Sequence, residues 1–125
     1  MTVKINSIEQ KKNERLKAKK GVFAVLASDI NTLGPIKEIG RDGLDFQYID
    51  SGEPSNPSEA VEIFSTVNDF YLKKLPIKDV VEFKVDASSP YSSLPMRQMS
   101  IQFGKMTPIQ SKLLDYFLRL YTYDE

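Results

Sequence analysis

Two short stretches hold the side chains whose types and spacing could do chemistry. Lys11, Lys12 and Arg15 cluster near the start of the chain, and Glu38-Ile39-Gly40-Arg41-Asp42-Gly43 follows beyond an apolar run. Ammonium and guanidinium groups hold phosphate oxygens through charge-assisted hydrogen bonds, and a carboxylate such as Glu38 accepts from the donor edge of a guanine. Gly43 permits a positive backbone angle or the close approach of a ligand. The same residues also suit a plain hairpin turn beside a flexible tail, and spacing alone leaves both readings open.

Catalysis is harder to assemble. The 125 residues include no His and no Cys. That excludes disulfides, imidazole or thiolate zinc sites, Cys nucleophiles and every His-dependent triad. Acid–base work would fall to carboxylates, Lys or Tyr. Asp42 and Asp45 stand at turn and surface-strand positions, where solvated roles are expected. No acidic run has EF-hand spacing, and Gly40 and Gly43 do not lie between a strand and a helix, as a dinucleotide fingerprint requires. The chain reads as a binding module rather than an enzyme, with no metal and no cofactor.

Charge is unevenly laid out. Seventeen basic residues balance seventeen acidic ones, yet residues 1–20 carry a net of +5 and the remainder a net of −5. A basic arm of this kind is commonly a solvated segment. Nonspecific nucleic-acid binding by the arm is a further reading. The aromatic residues oppose it, because they fall on core-facing stripes rather than among the lysines. No stretch approaches the ~20 apolar residues of a membrane span. The N-terminus lacks a signal-peptide apolar region, and a soluble cytoplasmic chain is expected.

The elements that must position these residues are mostly strands. Apolar residues make up 41% of the chain, enough for one core. Gly21 to Ser28 reads as a buried strand ended by a turn at Asp29 to Gly34, and Ile36 to Ile39 as a second strand. Gly40 to Gly43 supplies hairpin-turn chemistry. Leu44, Phe46 and Tyr48 alternate with Asp45 and Gln47 on a third strand. Ser51 to Ser58 and Ala87 to Pro95 read as loops. Val61 to Phe64 is a short strand, and another starts at Phe70 to Leu72, with Pro76 expected to interrupt pairing or mark an edge. Val81, Phe83 and Val85 alternate with Glu82 and Lys84, and Arg97 to Phe103 gives a last strand. Such spacing suggests an antiparallel barrel or sandwich. Thr107-Pro108-Ile109-Gln110 then combines an N-cap, Pro at the first helical position and Gln at the third. A helix is expected over about 108–122, with Ile109, Leu113, Phe117, Leu120 and Tyr121 on one stripe packed against the barrel.

Taken together, the layout resembles the PilZ family, the bacterial receptor module for cyclic di-GMP. That family joins an N-terminal Arg-x-x-x-Arg arm to an Asp-x-Ser-x-x-Gly turn on a six-stranded antiparallel barrel closed by a C-terminal helix. The matching residues are Lys11-x-x-x-Arg15, leading into Gly21 to Leu26, then Glu38-x-Gly40-x-x-Gly43-Leu44-x-Phe46. Phe70-Tyr71-Leu72, Met96-Arg97 and Ile101 to Thr107 extend the likeness, which covers roughly residues 10–122. Lys11, Glu38 and Gly40 stand where the family has arginine, aspartate and serine. The resemblance implies a mainly β fold: a basic arm over 1–20 and one six-stranded PilZ-type barrel domain over 21–125. It implies cyclic di-GMP as ligand, bound by Lys11, Arg15, Glu38, Gly40 and Gly43 with Lys12, Arg41 and Arg97 as auxiliaries. The expected role is relay of the second-messenger level to a protein partner in the bacterial cytoplasm. The substitutions keep an alternative open, a degenerate module that has lost the nucleotide and acts through protein–protein contact.

Overall fold

A computed structural model describes residues 15–52, 58–85 and 94–123 of the chain. Within them lie seven strands and one helix: β1 (Leu16–Lys17), β2 (Val22–Leu26), β3 (Asp29–Ile39), β4 (Gly43–Ile49), β5 (Ala60–Ser65), β6 (Tyr71–Val85), β7 (Met96–Phe103) and α1 (Pro108–Tyr121). Strands β3, β2, β5, β6, β7 and β4 pair in that order, β4 returns to β3, and β1 adds to the far end of β3. Every pairing is antiparallel. The six-stranded antiparallel barrel with a C-terminal helix is therefore what the chain builds.

Alternation makes the barrel. Leu44, Phe46 and Tyr48 point inward from β4 and meet Met99, Ile101 and Phe103 of β7, with Ile36, Ile39, Ile63 and Leu72 filling the same core. Because side chains alternate with a period of 2, Asp45, Gln47, Gln98 and Ser100 are thrown onto the outer wall. Leu114, Phe117 and Tyr121 of α1 bury against the barrel, where Phe70 packs on both aromatic rings. Among the described residues no helix is long and apolar enough to cross a membrane.

Four local expectations need correction. The turn expected at Asp29 to Gly34 is instead the pair Ala27-Ser28, and β3 runs through the whole stretch. Gly34 marks a close crossing, since a Cβ there would lie 1.6 Å from the Gln47 carbonyl oxygen. Pro76 does not interrupt its strand. It stands where β6 leaves β5 as partner and takes up β7, so the missing N–H falls at a change of partner. On the outer half of β6, Val81 and Phe83 face outward, opposite Ser100 and Gln98, and are exposed. Finally, the single helical stripe is two stripes. Leu114, Phe117 and Tyr121 are buried, whereas Ile109, Leu113 and Leu120 are exposed.

Candidate functional site

The chain enters the described structure at Arg15 and is immediately tied down. Leu16 and Lys17 pair with Ile39 and Glu38 of β3, and the Ala18 N–H donates to the Lys37 carbonyl at 2.9 Å. On its other side the segment meets the end of α1. Lys19 N–H donates to the Tyr121 carbonyl at 2.8 Å, and Tyr123 N–H donates to the Lys17 carbonyl at 2.9 Å. Residues 16–19 are thus threaded between β3 and the chain's C-terminal end. Lys11 and Lys12 lie outside the described residues.

Arg15 carries a dense set of contacts on the outer wall. Its Nη1 donates to Asp45 Oδ1 at 2.8 Å and to Ser100 Oγ at 3.1 Å, and Nη2 donates to the Ile101 carbonyl at 3.3 Å. Nε lies 3.6 Å from Asp42 Oδ1. Asp42 and Asp45 are therefore not the solvated turn residues expected from their positions. They are the two anionic partners of one guanidinium, which pins the arm across β4 and β7. Gly43 makes room for it. A Cβ at that position would lie 2.0 Å from the Ile101 carbonyl oxygen and 2.4 Å from Arg15 Nη2.

The remaining site residues divide into those that share a groove and those that do not. An open groove of about 600 Å³ lies between residues 17–22, the Pro35–Glu38 stretch of β3, Asp45, Gln98 and Tyr123. Lys17, Lys19, Lys20 and Lys37 are four basic residues of its lining, and Glu38 is an acidic one. The Lys19 ammonium sits 5.9 Å from the centre of the Tyr123 ring. Gly40 and Gly43 shape the neighbouring turn, with the Gly40 N–H donating to the Gly43 carbonyl at 2.8 Å. Arg41 turns away from the groove toward α1, where its Nε lies 3.0 Å from Asp115 Oδ1. Arg97 belongs to the opposite face of β7 from Gln98, between Asp50 at 3.8 Å and Glu82 at 3.5 Å.

Sequence reasoning counted Lys17, Lys19 and Lys20 only as part of the basic arm, and it missed Lys37, Gln98 and Tyr123. Alternation of β7 could have placed Gln98 outside with Ser100. No sequence signal places Tyr123, which reaches the groove only because the chain folds back along residues 17–19. Among the described residues no group of three or more acidic side chains is arranged to hold a metal ion.

No family model matches the sequence, and neither does any curated protein. Among solved structures the chain is similar to the PlzA protein of Borreliella burgdorferi, crystallised in complex with c-di-GMP. The identity is 13%, the TM-score 0.47, and the match covers 99% of this chain and 60% of that one. The chain thus spans about 60% of that protein's length.

Proposed function

We propose that the protein is a PilZ-type receptor that takes cyclic di-GMP in the groove beside the β3–β4 turn and relays its level to a protein partner. One observation carries this reading: Lys17, Lys19, Lys20 and Lys37 line a single groove together with Glu38 and Tyr123. The ligand has two phosphates and two guanines. The ammonium groups suit the phosphates as point charges, and the Glu38 carboxylate suits the donor edge of a guanine. Tyr123 offers a ring face for base stacking, a task that the planar fork of an arginine would serve and that the Lys11 ammonium cannot. Gly40 and Gly43 keep the turn low beside the groove. In this reading Arg15 acts mainly as the pin that fixes the lysine-bearing segment, because Asp42 and Asp45 already hold its guanidinium.

The same engagement of Arg15 favours a second reading, a module that no longer binds the nucleotide and works through protein contact alone. Titration calorimetry with cyclic di-GMP separates the two. The receptor reading expects saturable binding with a Kd near ~1 μM, equivalent to about −8.2 kcal/mol. It also expects marked loss of affinity in Glu38→Ala and in the Lys19→Ala, Lys37→Ala double variant. Absence of heat at roughly 100 μM ligand, about −5.5 kcal/mol on the same scale, would overturn it. If the variant Lys11→Arg, Glu38→Asp, Gly40→Ser then gained binding, the scaffold would be competent and the second reading would stand.

A further inference from the structure

The outward face of α1 carries a seam that nothing in the described chain covers. Ile109, Leu113, Tyr116 and Leu120 are between 38% and 71% exposed. Their spacings of four, three and four residues are those of alternating d and a positions over two heptads. They line one side of the helix, about a quarter turn from the buried stripe of Leu114, Phe117 and Tyr121. Tyr116 is held in place by stacking on Phe70, with ring centres 6.2 Å apart. A heptad seam on a helix selects another helix as its occupant, because knobs at a and d fit the holes of a facing helix.

The flanks say which kind of helix. With Leu113 and Leu120 at a, the g positions are Lys112 and Arg119, both exposed. Neither forms an ion pair among the described residues. The e positions are Gln110, which is bonded to the Lys73 and Lys74 carbonyls, and Phe117, which is buried. The nearest acidic side chain on the helix, Asp115, is taken by Arg41. A second copy fits poorly. In an antiparallel pair g faces g, so Lys112 and Arg119 would meet the same charges. In a parallel pair they would meet e positions already packed on the barrel.

We infer that α1 is a docking surface for an amphipathic helix of a partner protein, apolar along its seam and acidic on its flanks. The inference does not depend on what the groove binds. It can be tested on the full chain with two fluorescent synthetic helices, each with leucine at both seam positions. One carries glutamate at the flanks and the other lysine, and like charges keep each probe monomeric.

Fluorescence anisotropy should show saturable binding of the acidic probe, at least about tenfold tighter than the basic one. The exposed-site variant Ile109→Glu, Leu113→Glu should lose the acidic probe by about tenfold or more, while its circular dichroism melt shows that the fold persists. Lys112→Glu, Arg119→Glu should reverse the preference between probes. Equal binding of the two probes, or no binding of the acidic probe at about 100 μM, would overturn the inference. So would sedimentation equilibrium showing self-association through Leu113 and Tyr116, which would assign the seam to a second copy.

Discussion

Arg15, Asp42, Asp45 and Gly43 act as one packed unit at the mouth of the arm. The guanidinium takes the space a side chain at Gly43 would need, so Gly43→Ala must displace either Arg15 or the β4–β7 pairing at Ile101. Overpacking of this sort costs about 1–3 kcal/mol. Urea unfolding of Gly43→Ala should show a loss in that range with the denaturant slope unchanged. This part of the site was half legible in the sequence. The turn glycine and the basic residue could be singled out, but the pairing of Arg15 with Asp42 and Asp45 needs β4 and β7 side by side. A second residue-scale effect concerns Tyr71, which stands on the outer wall with its hydroxyl donating to the Glu62 carboxylate. That hydrogen bond, with smaller contributions from burial and from repulsion by Glu62, raises the Tyr71 pKa above 10.0. The folded-state value is the raised one. The stability this contact contributes is therefore fully present below pH 10.0 and is lost as the pH climbs beyond it. In an alkaline absorbance titration, Glu62→Gln should bring the Tyr71 transition down toward the ordinary tyrosine value, read as the difference from Tyr71→Phe.

Among the elements, α1 and β6 are locked by one side chain. Gln110 completes the capping box with Thr107, accepting from the Thr107 N–H at 3.0 Å while its own N–H donates to Thr107 Oγ1 at 3.1 Å. Its amide also donates to the Lys74 carbonyl at 2.9 Å. That carbonyl belongs to a bulge in β6, where Lys73 and Lys74 oppose Glu62 and Lys74 takes φ 53. Gln110→Ala should therefore destabilise by about 1–2 kcal/mol, the upper end of a cap loss, because it frees the bulge as well. Thermal unfolding followed by circular dichroism tests this, and Gln110→Glu should recover the cap but not the bulge bond. The capping box was readable from Thr107-Pro108-Ile109-Gln110 because it is local. The bulge was not, because it depends on the pairing of Val61 with Leu75 and of Ile63 with Leu72. The helix stripes illustrate the same limit. Periodicity marks every apolar residue of α1 as a candidate for burial, and only the placement of the barrel decides that Leu114 goes in while Leu113 stays out. For β6, alternation set Val81 and Phe83 apart from Glu82, but the direction of the core came from neighbours on β7.

At the scale of the whole molecule, one backbone route joins the groove to the helix. Residues 17–19 line the groove on one side and hydrogen-bond to Tyr121 and Tyr123 on the other. The segment that carries the groove lysines is thus the same one that is hydrogen-bonded to the C-terminal end of α1, the element that presents the exposed seam. The charge layout has the same logic. Neutrality of the full chain conceals an excess of basic residues at the start, and folding brings Lys17, Lys19 and Lys20 beside Lys37, whose part in the groove only the pairing of β1 with β3 reveals. The barrel and helix were legible because alternation and capping are short-range signals. The groove was not, because it is made where the two ends of the chain meet.

The most direct test of the central claim is an amide ¹H–¹⁵N spectrum of the chain titrated with cyclic di-GMP. Saturable shifts are expected at Lys17–Gly21, at Lys37 and Glu38, and at Tyr123, spreading to Tyr121. Ala27 and Ser28, in the turn at the far end of β2 from the groove, should stay unmoved. An unchanged spectrum at saturating nucleotide, or shifts confined to residues away from this groove, would contradict it.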